Sequence, residues 1–192
     1  MRRSLALLLP IMSLAAPAIA QDAVNPPDIK PGDRWNYLSG DLKRGLSVER
    51  VEADGIIVGT VHTQTLGGLE IRFTKEWNPV MAPIFMLGNV RFQRYSPPVC
   101  LMPAVPWTVG KEWSCDAGWS DGTYSGVTHV TGKIEAREKI AVPAGSFDAL
   151  RVHTNVAGTE TTCWYAPQVE QFVLCKSANP DYNYELVSYQ LK

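Results

Sequence analysis

The sequence predicts an all-β protein: a strongly curved antiparallel sheet or an open β-barrel with meander connections, held by two disulfides. Three observations lead to this fold class. Several short stretches alternate apolar and polar side chains with a period of two, which is typical of strands with one wet face. Turn signals separate these stretches, and no long segment shows the 3.6-residue period and caps of a helix. The chain also contains four cysteines, an even number.

The strands are predicted from the alternation, taken in chain order after Gly32-Asp33. The clearest alternation covers residues 69–74, 130–142 and 150–156. Two shorter strands, 163–166 and 172–175, would form a hairpin around residues 167–171. Further strands are predicted at 34–39, 46–51, 56–62, 111–115 and 184–191. The turn signals between them are Asp54-Gly55, Gly67-Gly68, Asp121-Gly122 and Pro143-Ala144-Gly145.

Residues 1–20 have the three parts of a secretory signal peptide. Arg2 and Arg3 form the basic region, residues 5–14 form a short apolar region, and Ala18-Ile19-Ala20 is a small-residue cleavage site. The apolar region is shorter than the roughly 20 residues that a spanning helix needs. We therefore expect cleavage after Ala20 and a periplasmic or secreted bacterial protein.

The length and charge of the chain after the leader limit the classes of protein to which it can belong. Cleavage after residue 20 of 192 leaves 172 residues, a length typical of one domain. We expect residues 21–31, with three prolines, to be a flexible lead-in and residues 32–192 to form a single β domain. Removing Arg2 and Arg3 leaves 16 basic and 19 acidic residues. This balance argues against nucleic-acid binding, which needs a basic face, and no later stretch is apolar enough to form a transmembrane segment.

The cysteines are Cys100, Cys115, Cys163 and Cys175, and in an exported protein they predict two disulfides. Four cysteines allow three pairings, and the sequence does not choose among them. A hairpin symmetric about Val169 would place Cys163 opposite Cys175, which leaves Cys100 for Cys115. Each bond would stabilise the fold by about 3 kcal/mol in the chain-entropy model. There is no CxxC motif, so zinc is not indicated.

Residues 77–107 differ from the rest because they hold six prolines and all three methionines that follow the leader. Proline disfavours central strands, and methionine suits adaptable apolar surfaces. Three interpretations stay open: a loop that completes the core, a lid over an apolar or lipid-like ligand, and a soft-metal site, which lacks a histidine or free thiol at ligand spacing. The candidate ligand contacts are Trp77, Met81, Phe85, Met86, Met102 and Trp107.

Catalytic signals are weak, and we predict neither a metal nor a cofactor. No GxSxG motif occurs, and no glycine-rich phosphate-binding motif is present. Ser125 and His129 are close in sequence, and His153 shares a strand face with Arg151. A serine needs a base held beside it to become a nucleophile. A hydrolase using His129 or His153 is therefore only the third functional hypothesis.

Four stretches resemble a known sequence pattern. Residues 142–152, VPAGSFDALRV, resemble a "VPAGTFDAxR" hairpin, and residues 163–167, CWYAP, followed by Phe172-Val173, resemble a "WYAP…VK" hairpin. Residues 107–113 and 31–35 resemble the "VGKxW" strand entry and the opening of the same pattern. The pattern belongs to a group of uncharacterised exported bacterial β-domain proteins, catalogued as a domain of unknown function.

This resemblance implies an exported antiparallel β domain and supplies no activity or catalytic residue. Its motifs are turn chemistry: proline presets φ and glycine supplies positive φ. The chain departs from the pattern at Glu170-Gln171, which stand where a glycine is usual near the hairpin tip.

The sequence thus predicts a non-enzymatic exported β domain. Its first hypothesis is binding of an apolar or lipid-like ligand on a concave face lidded by residues 77–107. The alternative is an envelope interaction or scaffold domain whose partner is another protein.

Overall fold

Twelve antiparallel strands close into one barrel in the computed structural model, which describes residues 23–64, 67–86 and 89–192. Each strand pairs with the next along the chain, and β12 returns to pair with β1. The predicted all-β, antiparallel fold class is confirmed, and the structure adds that the barrel is closed. The predicted leader and its cleavage site lie outside the described residues. No helix in the described ranges is long and apolar enough to cross a membrane.

Ten of the twelve strands overlap predicted strands, and six of these ten are longer than predicted. The twelve strands are β1 Arg34–Ser39, β2 Leu42–Val51, β3 Ile57–Thr63, β4 Leu69–Phe73, β5 Pro79–Met86, β6 Asn89–Ser96, β7 Glu112–Ser120, β8 Ser125–Val142, β9 Gly145–Val156, β10 Thr159–Ala166, β11 Gln171–Ser177 and β12 Tyr184–Gln190.

Strands β5 and β6 were not predicted, and they occupy much of the proline-rich segment 77–107. Pro79 is the first residue of β5, where a missing N–H costs little. Pro83 lies beyond the last position at which β5 pairs with β4, the pair of Met81 and Arg72. Prolines are thus tolerated because β5 makes only a short, shifted ladder with β4. The segment is therefore two barrel strands followed by a loop, and not one lid.

Asp33, whose side chain is buried, stabilises the place where the barrel closes. Its carboxylate accepts hydrogen bonds from the backbone N–H of Lys30 at 2.7 Å and of Lys192 at 2.8 Å. Its carbonyl accepts from the backbone N–H of Val48 at 2.9 Å. Because a charged acceptor strengthens a hydrogen bond, Asp33 ties the turn before β1 to the residues after β12 and to β2.

The core contains several large aromatic side chains that pack on one another. Trp35, Trp107 and Tyr165 are fully buried. The indole N–H of Trp35 donates to the Val169 carbonyl at 2.7 Å, so its polar edge is satisfied. Aromatic pairs in edge-to-face contact add about 0.5–1.5 kcal/mol beyond the burial of their area.

The lead-in before β1 contacts the barrel. Val24 is buried, and its N–H and C=O each form a 2.9 Å hydrogen bond with the backbone of Trp107. Pro27 is buried as well. The predicted mobility of residues 21–31 and the predicted domain bounds stay predictions.

The two disulfides pair as the hairpin geometry predicts. Cys163 lies opposite Cys175 in the β10–β11 ladder, and the two are bonded. Cys100 is bonded to Cys115. Cys175 is buried in the main core, whereas the second bond packs beside a smaller cluster of Val99, Ala117 and Val130.

Glu170 sits in the left-handed region at the tip of the β10–β11 hairpin, with φ of 55°. A short 3-10 helix, Pro167–Val169, precedes it. Burial raises the pKa of the Glu170 carboxyl, and Asp33 and Asp28 raise it further. Glu170 therefore carries both a backbone penalty and an unfavourable carboxylate.

We expect Glu170→Gly to raise the free energy of unfolding by about 1 kcal/mol. The left-handed conformation costs an L-residue about 1–2 kcal/mol, and glycine avoids this cost. Part of the gain is lost because glycine loses more conformational entropy on folding than other residues do. Urea unfolding measures the change.

Glu170→Gln is the matched control because it removes the charge and keeps the backbone penalty. A raised folded-state pKa means that the ionised carboxylate destabilises the fold above its unfolded pKa of about 4.3. The Gln control should therefore gain stability at pH 7 and lose that gain below about pH 4. Equal stability of the Gly and Gln variants would contradict the backbone argument.

Candidate functional site

Three of the predicted ligand contacts are packed into the core. Trp77 makes edge-to-face contacts with Trp35 and Phe73 at ring distances of 5.5 and 5.3 Å, and its indole N–H donates to the Glu170 carbonyl at 2.8 Å. Trp107 packs edge-to-face on Tyr165 at 4.9 Å.

Met102 is held by its backbone. Its N–H donates to Asn78 Oδ1 at 2.7 Å, and its carbonyl accepts from Asn78 Nδ2 at 3.0 Å. Like Trp77 and Trp107, Met102 belongs to the main core. A ligand would have to displace core packing to reach any of these three side chains.

The other three predicted contacts lie on β5. Phe85 and Met86 end the strand, and their side chains are outside the part of the molecule that the structure describes. Met81 is buried yet belongs to neither core cluster. It lines a groove of about 610 Å³, here called the Met81 groove, whose lining residues are Glu70, Arg72, Val80, Met81, Phe92, Arg94, Tyr95 and Ser96.

Strand register places the Met81 groove on the outer wall of the barrel. Arg72, Met81 and Arg94 lie opposite one another across β4, β5 and β6. Successive side chains along a strand point to opposite faces, and Phe73, next to Arg72, packs against the main core. Arg72 and its cross-strand neighbours therefore face outward. The segment predicted as a lid thus contributes residues to an outer groove, and ligand binding by this segment stays a prediction.

Two arginines with different surroundings flank Met81. Arg72 forms ion pairs with Glu70 at 2.8 Å and with Glu52 at 3.7 Å. Arg94 is exposed and pairs with no carboxylate in the described part of the chain. The groove therefore combines an apolar floor, Met81 and Phe92, with one positive charge that is available to a ligand.

Tyr95 also lines the Met81 groove. Its hydroxyl donates to Gln93 Oε1 at 2.8 Å. Burial, more than the neighbouring Tyr182, raises the pKa of the Tyr95 phenol. Tyr95 is thus a neutral hydrogen-bonding group and adds no charge to the groove.

The predicted catalytic histidines each contact a carboxylate. His129 Nδ1 lies 2.7 Å from Asp116 Oδ1, and His153 Nε2 lies 2.6 Å from Glu160 Oε2. His153 lies opposite Lys133 of β8, and Lys133 is four residues from His129, a backbone separation of about 13 Å along the strand. Among the hydrogen bonds of the described residues, neither ring contacts a serine hydroxyl. Within the described ranges, no group of three or more histidine, cysteine and carboxylate side chains could hold a metal ion.

Sequence reasoning missed Arg72, Phe92 and Arg94. Residues 91–94 read Arg-Phe-Gln-Arg, a strand-like pattern that the surrounding prolines obscured. Their approach to Met81 depends on the pairing of three strands, which the chain does not reveal locally.

No family model and no curated protein matches the chain. Among solved structures, one described as "a putative lipoprotein" from Parabacteroides distasonis is 12% identical with a TM-score of 0.47. Another, described as "a putative exported protein with YmcC-like fold" from Bacteroides fragilis, is 13% identical with a TM-score of 0.45. Each comparison covers 88% of this chain and 100% of the other chain.

Proposed function

We propose that the protein is an exported, non-enzymatic β-barrel domain that binds a lipid-like ligand in the Met81 groove. The observation that carries the proposal is the pairing of an apolar floor with an arginine that lacks a carboxylate partner. The predicted leader supports export, and two disulfides suit an oxidising compartment.

The ligand that fits this groove is an amphiphile with one negative charge. Met81 and Phe92 would contact the apolar chain, and Arg94 would bind the anionic group. The groove volume of about 610 Å³ lies within the roughly 300–1,000 Å³ typical of small-molecule sites. Arg72 is already neutralised by Glu70 and Glu52, so one anionic group is favoured over two.

Binding of dodecanoate to the purified protein, followed by isothermal titration calorimetry below micelle formation, tests the proposal. We expect saturable binding that Arg94→Gln weakens by about tenfold to a hundredfold, because a hydrogen bond to a charged group contributes about 1.5–3 kcal/mol. Phe92→Ser should weaken it too.

Arg34→Gln is the matched control, since Arg34 also forms no ion pair with a carboxylate of the described residues but lines a different groove. It should leave the affinity for dodecanoate unchanged. Absence of saturable binding, or equal loss in the Arg34 and Arg94 variants, would overturn the proposed function.

A further inference from the structure

A second groove lies on the wall formed by β1, β2 and β3, with a volume of about 690 Å³. Most of its lining residues are polar or charged, and Arg34, Lys43 and Arg44 among them are basic. The lining residues used below are Arg34, Asn36, Arg44, Gly45, Glu49 and His62. We call it the Gly45 groove.

Gly45 forms the floor of this groove. It lies opposite Asn36 of β1 and His62 of β3, so it occupies the middle of a row that runs across three strands. A Cβ atom here would lie 3.3 Å from Asn36 Oδ1 and 3.9 Å from His62 Cβ. The absence of a side chain therefore leaves a depression between two polar residues.

The arginines of the described residues form two groups, those that form an ion pair with a carboxylate and those that do not. In the described residues, Arg50, Arg72, Arg91, Arg137 and Arg151 each form an ion pair with a carboxylate. Arg34, Arg44 and Arg94 have none among those ion pairs, and all three line one of the two grooves. Arg44 donates instead to the Asp181 carbonyl at 3.2 Å. Arg44 lies opposite the buried Tyr37, so its side chain is on the other face of the sheet from Gly45. Arg34 shares the outer face with Asn36 and Gly45, so its unneutralised guanidinium group is the one that a ligand in the Gly45 groove could reach.

The Gly45 groove also contains one acidic residue, Glu49, which accepts from the Ser47 hydroxyl at 2.9 Å. A carboxylate disfavours a ligand that is negative throughout, but it accepts hydrogen bonds from ligand hydroxyls. Asn36 and His62 supply further polar contacts on either side of the floor. A volume of about 690 Å³ is far larger than a single inorganic anion requires.

We propose that the Gly45 groove binds an anionic sugar, with Arg34 contacting its phosphate or carboxylate and Glu49 contacting its hydroxyls. Guanidinium groups bind both kinds of anion in a bidentate manner. This site is independent of the Met81 groove and of the function proposed for it.

The test is titration of the isotopically labelled protein with glucose 6-phosphate and with glucuronate, followed by amide NMR shifts at Gly45 and its strand neighbours. Glucose and inorganic phosphate are the reference probes. At least one sugar anion should saturate these shifts with an affinity about tenfold or more above both reference probes. The stronger of the two identifies the anion.

Variants separate the site from general charge effects. Arg34→Gln should weaken sugar-anion binding about tenfold, and Gly45→Val should abolish it by filling the floor. Arg94→Gln, the matched control in the other groove, should leave sugar-anion binding unchanged. Equal binding of inorganic phosphate would mean an adventitious ion only, and would overturn the proposal. So would failure of both sugar anions to bind below about 10 mM, or an equal loss in the Arg94 variant.

Discussion

Replacing Trp107 with alanine is expected to lower the free energy of unfolding by about 3–5 kcal/mol, the range for removing a large aromatic side chain from a core. Trp107 has no exposed surface. Its ring packs edge-to-face on Tyr165, and its indole N–H donates to the Pro103 carbonyl at 2.9 Å. The alanine variant would lose these contacts and leave a cavity in the main core.

Urea unfolding of the Trp107→Ala variant measures this loss. Trp107→Phe should lose less, because it keeps a ring and removes mainly the hydrogen bond. Tyr124→Ala is the surface control: its side chain is 61% exposed, and its change should stay within about 0.5 kcal/mol. A loss below about 1 kcal/mol for Trp107→Ala would show that Trp107 is not the core residue that its contacts indicate.

Removing the Cys163–Cys175 disulfide with the double variant C163A/C175A is expected to cost about 3 kcal/mol or more. The bond joins cysteines 12 residues apart, and the chain-entropy model gives about 3 kcal/mol for a loop of this size. Cys175 is only 2% exposed and lies in the main core, so loss of its packing adds to the entropic effect.

The double variant C100A/C115A is the matched comparison, because its loop of 15 residues has nearly the same closure entropy. Its bond packs against the smaller cluster, so its loss should be the lesser of the two. Chemical unfolding of both variants without reductant gives the two values. A larger loss for C100A/C115A would contradict the ranking, and a negligible loss for either would contradict its entropic part.

Local patterns were sufficient for the strands and for one disulfide. Alternation in residues 130–142 reflects a face that meets the core and a face that meets water, and that relation holds wherever the strand pairs. The Cys163–Cys175 pair followed from a short hairpin. Strand β5 was missed because Pro79 and Pro83 usually mark the end of a ladder, whereas here its short, shifted pairing with β4 tolerates them.

The sites depend on distant pairings. Met81 was named among the candidates, but its partners Arg72 and Arg94 come from different strands, and their positions depend on a register shift next to Phe73. The sequence also suggested that Trp77 and Trp107 contact a ligand, since a buried aromatic residue and a binding aromatic residue look alike in composition. Only the contacts with Trp35 and Tyr165 distinguish them.

The pairing of β1 with β12 has a consequence for the order in which the chain can complete its fold. Arg34 lies opposite Gln190, so one side of β1 has no strand partner until almost all of the chain has been made. A chain interrupted before Tyr184 would present β1 and β11 as two free edges, and free edges recruit strands from other molecules. The barrel therefore has no free strand edges only after β12 has paired with β1 and β11. Nascent or truncated forms of this protein would need chaperones to prevent aggregation, whereas the closed barrel would not.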